Sequence, residues 1–219
     1  PVIAADGSGS AVRESMIKSG YLSGSFDPLG HSYKELSIPP DKSGEFQLEP
    51  NALHIWPRGK FMLIALPNMD RSFTVTLFLP NIGDISFSTV RSLDDLNSLF
   101  EKNFPDVLEI MPSLKTDYFS NPTGKLGTVR CSQWNVNESV LIGDAAHAVV
   151  PFFGQGMNAS FEDCTVLNQM LDSSVNWKDL FESFSKKRKI DGDAIADMAL
   201  ENYIEMRDSV NKDRFLNER

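Results

Sequence analysis

Residues 140–164 read VLIGDAAHAVVPFFGQGMNASFEDC. Val140, Leu141 and Ile142 form a short apolar run of the kind found in a strand buried on both faces, and Gly143-Asp144 ends it. In open α/β sheets, ligands lie beyond the carboxyl ends of such strands. A carboxylate there accepts hydrogen bonds from hydroxyls, as on a ribose, and repels a phosphate; the other reading of Asp144 is a helix cap. Downstream, Pro151, Phe152, Phe153, Gly154, Gln155, Gly156, Met157 and Asn158 bring a glycine-rich loop to the start of a helix predicted over 157–171. A helix start offers free backbone N–H groups and favours an anion, or an oxygen that becomes anionic. The letters GQGMNA satisfy GxGxxA, but a dinucleotide fingerprint needs a second parallel strand after the helix, ending in an acid. Here Ser173-Ser174-Val175-Asn176 runs into another helical pattern, so the loop is read as facing a ring system.

The rest of the chain bounds the choices. Its 219 residues, 41% hydrophobic, suffice for one sizeable core or two lobes. A net charge of −9 argues against a nucleic-acid partner, whose phosphates would need neutralising by Lys and Arg. The one basic cluster, Lys186-Lys187-Arg188-Lys189, reads as a solvated helix end. Cys131 and Cys164 lie far apart, without a CxxC, and His31, His54 and His147 share no ligand spacing, so no disulfide framework and no metal is expected. No apolar run approaches a membrane span, and the setting is read as intracellular.

Around this core the periodicities alternate. Residues 2–5 read as the end of a buried strand, and Asp6-Gly7-Ser8-Gly9-Ser10 as turn chemistry before a short helix carrying Arg13. Residues 20–50 are loop-rich, with a strand at YKELSI. FMLIALP (61–67) and SFTVTLFLP (72–80), separated by NMDR, predict a hairpin with apolar side chains on both faces, covered on each side. One face carries Met62, Ile64 and Leu66, with Phe78 from the neighbouring run. That face is either a wall for an aromatic ligand or ordinary sheet core. LDDLNSLFEKNF (93–104) is a helix stopped at Pro105, and TVRCSQWNV and NESVLIG are strands. WKDLFESF and AIADMALENYIEMR read as two closing helices. In the second, Ile195, Ala199, Asn202 and Met206 fall on one stripe, so Asn202 must find a partner: a backbone group or a ligand.

Two motifs taken together carry a resemblance. DGSGSAVR (6–13) resembles the DGxxSxVR motif of the flavoprotein aromatic hydroxylases, the group A flavin monooxygenases, and GDAAHAVVPFFGQGMNASFED (143–163) resembles their GD motif. Within that family HIWPRGKFMLIALPNMDRSFTVTLFLP, PFFGQGMN and NYIEMR resemble the members that act on L-kynurenine, and the likeness covers most of residues 45–210.

The resemblance implies an α/β (α+β) fold with a partial nucleotide-binding domain (1–20 and 123–172), a mixed β-sheet substrate domain (21–122) and carboxy-terminal helices (173–219). It implies FAD and NADPH as cofactors, with O2 and L-kynurenine as substrates and oxygen delivered from a flavin C4a-hydroperoxide. Asp144 then binds the FAD ribose, and Asp6, Gly7 and Arg13 lie near the pyrophosphate. Pro151, Gly154, Gln155, Gly156, Met157 and Asn158 edge the flavin ring. Met62, Ile64, Leu66, Phe78, Pro151, Phe152 and Asn202 contact substrate, and no protein nucleophile is nominated. The family's opening GxGxxG unit and hydrophobic tail are not found among the 219 residues. The expected partner is therefore an amino-terminal fragment of the same protein. Membrane attachment, at the mitochondrial outer membrane in eukaryotic members, would come only through the tail. Another flavin-dependent aromatic hydroxylase, and a fragment serving only as a folding or interaction module, are the alternative readings.

Overall fold

The structure, a computed structural model, describes residues 1–171 and 176–206. The predicted features at 173–175 and 207–219 lie outside them. In chain order the elements are β1 (Val2–Ala4), α1 (Ala11–Lys18), β2 (Gly24–Ile38), β3 (His54–Pro57), β4 (Met62–Pro67), β5 (Phe73–Pro80), α2 (Leu93–Asn103), α3 (Pro105–Leu108), α4 (Leu114–Ser120), β6 (Thr123–Cys131), β7 (Asn135–Val136), β8 (Ser139–Leu141), α5 (Asp144–His147), a 3-10 turn (Pro151–Phe153), α6 (Gly156–Leu171) and α7 (Trp177–Ile204). They form two compact units, one of residues 1–28 with 127–204 and one built on residues 29–126. The α/β class expected from the sequence is the one observed.

The first unit holds a three-stranded sheet ordered β1-β8-β7. β1 and β8 run parallel, Ala4 opposite Leu141, and Ile142 N–H donates to the Ala4 carbonyl. Asp6 and Asp144 therefore follow the carboxyl ends of adjacent parallel strands. Among the described residues β1 pairs with β8, with Ala4 buried and Val2 and Ile3 about half exposed. The core of this unit gathers Val140, Leu141, Trp134, Val166, Leu167, Phe181 and Phe184. Each such side chain fully removed from water contributes about 1.5–3 kcal/mol.

α7 corrects the expectation of two closing helices. It is one helix from Trp177 to Ile204, and the basic cluster lies in its middle, not at a solvated end. Phe181, Phe184, Arg188, Gly192, Ala196, Ala199 and Tyr203 continue a single buried stripe at helical spacing. Gly192 is the reason that the helix passes close to its neighbours. A Cβ there would lie 2.9 Å from the Trp134 ring and 3.4 Å from His147 Cγ. The helix tolerates a poor helix former because only a bare Cα clears the indole.

The second unit carries a five-stranded sheet ordered β3-β4-β5-β2-β6. The predicted hairpin is β4 and β5, antiparallel, with Met62 opposite Phe78, Ile64 opposite Thr76 and Leu66 opposite Thr74. The run around YKELSI extends further than expected, with Gly24, Pro28 and Gly30 inside β2 rather than in a loop. Leu63, Ala65, Val75, Leu77, Leu36 and Ile38 pack into one core with Leu96, Leu99, Phe100 and Phe104. Ser92 and Asp95 form a reciprocal capping box that fixes the start of α2, and Pro105 ends that helix by opening α3. The opposite face is not covered along its length as predicted. Met62 and Phe78 are buried, Ile64 is partly exposed and Leu66 is exposed, with Thr76 opposite Ile64 and Thr74 opposite Leu66.

Candidate functional site: two turns at the ends of parallel strands

The first turn is built by Asp6. Its Oδ1 accepts from Ser10 Oγ at 2.6 Å, and its Oδ2 accepts from the Ala11 and Val12 amides at 2.8 and 3.3 Å. The Ser10 hydrogen bond foremost, with those from the amides, holds the Asp6 carboxyl below its ordinary range. Ser10 also caps α1, accepting from Arg13 N–H at 3.0 Å. Both Asp6 oxygens are thus committed to the helix start, and Gly7, at φ +81°, closes the turn with its carbonyl accepting from Ser10 N–H.

Arg13 joins the two motifs. The buried guanidinium donates from Nη1 to the Ala145 carbonyl at 2.8 Å and from Nη2 to the Ser8 carbonyl. The turn after β1 is thereby tied to the one after β8. Two of the guanidinium's five N–H donors thus hold two backbone segments together.

The second turn is Gly143-Asp144. Gly143 sits at φ +57°, ψ −144°, a conformation that strains any side chain, and a Cβ there would lie 3.1 Å from Ser160 Oγ. The Ala146 and His147 amides donate to its carbonyl, forming the single turn of α5. Gly143, not Asp144, is the residue before that helix, and no side-chain cap is present. Asp144 is exposed, and its carboxylate has no hydrogen-bond partner among the described residues. The capping alternative is therefore removed.

The third piece is the loop at 151–158. Pro151–Phe153 makes a 3-10 turn closed by Gly154, which adopts the left-handed conformation (φ +66°) and donates its N–H to the Pro151 carbonyl at 3.0 Å. A Cβ on Gly154 would meet nothing within 4 Å, so open space lies beside it. Gln155 Oε1 accepts from Asn158 Nδ2, and the Gln155 carbonyl accepts the Ala159 amide. The amides of Gly156, Met157 and Asn158, in the first turn of the 16-residue α6, have no partner among the described residues. Met157 is exposed, and Phe152 is buried against Tyr203, ring centroids 4.5 Å apart.

Asn202 meets the backbone partner allowed for in the sequence. Its Nδ2 donates to the Phe152 carbonyl, so the end of α7 holds the 3-10 turn. In the second unit Met62 and Phe78 stand in one cross-strand row with Pro57 and Tyr33, the Tyr33 and Phe78 rings 6.3 Å apart.

Two residues behind the second turn were not picked out from the sequence. Asp163, fully buried in α6, accepts Gly143 N–H at 2.9 Å and His147 Nε2–H at 2.6 Å on Oδ2, and Arg188 Nε–H at 2.8 Å on Oδ1. Burial pushes this carboxyl up, but the hydrogen bonds from His147, Arg188 and Gly143 outweigh it and hold it below its ordinary value. Arg188, itself buried, also meets Glu162 and Asp191 at 3.0 and 2.9 Å. The Trp134 ring stacks on His147 at 4.6 Å. The legible signal was the stripe from Phe181 and Phe184, which reaches Arg188 at the next helical step. A polar cleft of about 520 Å³ elsewhere in this unit, lined by Gln133, Asn135, Lys178 and Lys186 among others, includes none of these turns.

This donor set fits a flavin dinucleotide. An open carboxylate suits ribose hydroxyls, and three free amides beside uncrowded Gly154 suit the polar edge of a ring that gains negative charge.

Comparison with known proteins agrees with that fit. A family described as FAD binding domain matches residues 111–199. The chain is 50% identical to a kynurenine 3-monooxygenase of Myxococcus xanthus over 216 residues, 98% of this chain and 47% of that protein. It is also 50% identical to the kynurenine 3-monooxygenase of Xanthomonas oryzae pv. oryzae over 219 residues, 100% of this chain and 48% of that one. The chain spans about half the length of these curated relatives. Klebsiella pneumoniae HpxO, solved with FAD and uric acid, superposes with a TM-score of 0.76 at 20% identity, covering 99% of this chain and 53% of that one. The tetrameric form of 2-methyl-3-hydroxypyridine-5-carboxylic acid oxygenase gives 0.74 at 21%, covering 98% and 57%. The two structures share the fold. The relatives named are bacterial, and no helix among the described residues is long and apolar enough to cross a membrane, so the expected link to a mitochondrial outer membrane has no support.

Proposed function

We propose, from its likeness to the kynurenine 3-monooxygenases, that this chain supplies the ribose-binding and ring-edge parts of the FAD site, and an apolar substrate wall, in a monooxygenase that hydroxylates the ring of L-kynurenine to 3-hydroxykynurenine. The observation that carries the reading is the Asp144 carboxylate at the carboxyl end of β8, which has no hydrogen-bond partner among the described residues, in a unit whose α6 begins with three amides that likewise have none among them.

Each group then has a task. Asp144 accepts hydrogen bonds from the ribose hydroxyls. The amides of Gly156, Met157 and Asn158 point fixed dipoles at the pyrimidine edge of the isoalloxazine, where negative charge develops on reduction; such dipoles are already oriented and cost no reorganisation. Pro151 and Gly154 border the ring without crowding it, and Gln155 and Asn158 brace one another across the loop. FAD, held by these residues, would supply the redox chemistry, with NADPH as the two-electron reductant and O2 as the source of the one oxygen atom added to the ring and of the one released as water.

Asp6, Gly7 and Arg13 serve the pyrophosphate side by shaping backbone: Asp6 accepts from Ser10 and the first amides of α1, and Arg13 donates to the Ala145 and Ser8 carbonyls. On the substrate side the sheet face of the second unit gives apolar contact to the aromatic ring through Ile64 and Leu66, supported by the buried Met62 and Phe78. Asn202 acts through the Phe152 carbonyl that it holds.

The test is kynurenine-dependent NADPH oxidation by the full-length protein carrying this chain, with the product identified by mass. One 3-hydroxykynurenine per NADPH is expected. Tight FAD with response only to another aromatic acid would refute the substrate, and a folded protein that does not bind FAD would refute the whole reading.

A further inference from the structure

We infer that Asp163, with Arg188 behind it, is a positioning residue for the flavin dinucleotide: it fixes the Gly143-Asp144 turn and so aims the carboxylate that receives the ribose. The inference rests on the reading of Asp144 given above and adds residues that touch no ligand. Its basis is geometric. Gly143 N–H and His147 Nε2–H, one on each side of Asp144, both donate to the same oxygen, Asp163 Oδ2, at 2.9 and 2.6 Å. Asp144 lies in the single turn that these two residues bracket, and its carboxylate makes no hydrogen bond among the described residues, so the backbone that carries it is set by their anchoring.

The other oxygen, Oδ1, is taken by Arg188 Nε at 2.8 Å, and Arg188 Nη2 reaches the Ala159 carbonyl in α6. The exposed Glu162 and Asp191 complete the guanidinium's partners. A carboxylate excluded from water and gripped from three directions has one orientation, and the turn inherits it. Trp134 over the His147 ring, and the glycine at 192 that admits the indole, close off the remaining freedom. The open Asp144 thus stands on a closed polar cluster rather than on a pliant loop.

A ligand-directed role separates from a general structural one by coupling. FAD dissociation constants, read from flavin fluorescence, are compared for Asp163→Asn in the natural background and in the Asp144→Ala background of the full-length protein. An asparagine cannot accept all three donors, so Asp163→Asn is expected to weaken FAD binding about tenfold when Asp144 is present and less than about twofold when it is absent. The same factor in both backgrounds would overturn the inference. If Asp144→Ala alone leaves FAD affinity unchanged, the ribose reading of Asp144 fails first. Amide hydrogen exchange on the FAD-free protein then decides the positioning itself. Faster exchange at 143–147, with β4 and β5 unchanged, is expected for Asp163→Asn, and unchanged protection at 143–147 overturns it. Should that variant not fold, Arg188→Lys, which keeps the charge and loses the planar fork, serves in the same comparisons with the same outcomes.

Discussion

Replacing Arg188 by methionine keeps much of the buried stem and removes the guanidinium from a carboxylate fully excluded from solvent. Taking one partner from a buried ion pair costs about 3–5 kcal/mol, because the survivor stays desolvated and unpaired. Here Asp163 retains two donors, Gly143 N–H and His147 Nε2–H, which sets the expectation at the lower end, about 3 kcal/mol. The lost contacts to the exposed Glu162 and Asp191 add little. For a chain of this size the melting temperature should fall by about 6–12 °C.

The sign with pH is distinctive. In the natural protein the Asp163 carboxyl is held below 3.8, so its stabilising contribution is present above that value and is lost as pH falls. Without Arg188 the carboxyl loses one of the groups that hold it down, while burial and the His147 and Gly143 donors remain, so its value rises relative to the natural protein and the stability it contributes is lost at a higher pH. Thermal or urea unfolding of both proteins should show a gap that is wide at neutral pH and narrows toward about pH 4. A gap below about 1 kcal/mol at neutral pH, or one that does not change with pH, would refute the claim that Arg188 compensates a buried charge.

Other substitutions probe the remaining parts. Asp144→Ala should lower FAD affinity by about 10- to 150-fold, the worth of hydrogen bonds to a charged acceptor, with little change in melting temperature because the side chain makes no internal contact. Gly192→Ala should destabilise the protein by about 1–3 kcal/mol, since overpacking against Trp134 exceeds the gain in helix propensity; calorimetry showing stabilisation would contradict the close approach. Gly154→Ala should cost about 1–2 kcal/mol in stability from its left-handed backbone, read by urea titration. Asn202→Ala releases the Phe152 carbonyl, and proteolysis or amide exchange should register a looser 151–154 turn with near-normal FAD content.

Much of this was legible because the signals are local. The run 61–80 shows its hairpin through alternating apolar letters around NMDR, and the glycines at 154 and 156 mark the start of α6 where it forms. The residues that were misread depend on partners distant in sequence. Arg188 looked solvated among its lysines because its carboxylate lies 25 positions away on another helix. α7 looked like two helices because the charged run around Arg188 reads as a helix end, whereas Arg188 and Gly192 continue its buried stripe. Arg13 carries donors suited to an anion, and the sequence does not show that two of them go to the Ala145 and Ser8 carbonyls, or that Asp6 accepts from the start of α1. Spacing reports that a polar group is available, and only the packed structure reports what has already claimed it.

The account is tested most directly by a crystal structure of the full-length protein with FAD. A ribose hydroxyl within hydrogen-bonding distance of the Asp144 carboxylate, and the isoalloxazine beside Pro151 with its pyrimidine edge toward the amides of residues 156–158, is the predicted result. A dinucleotide bound elsewhere, or one whose ribose leaves Asp144 to solvent, would contradict it.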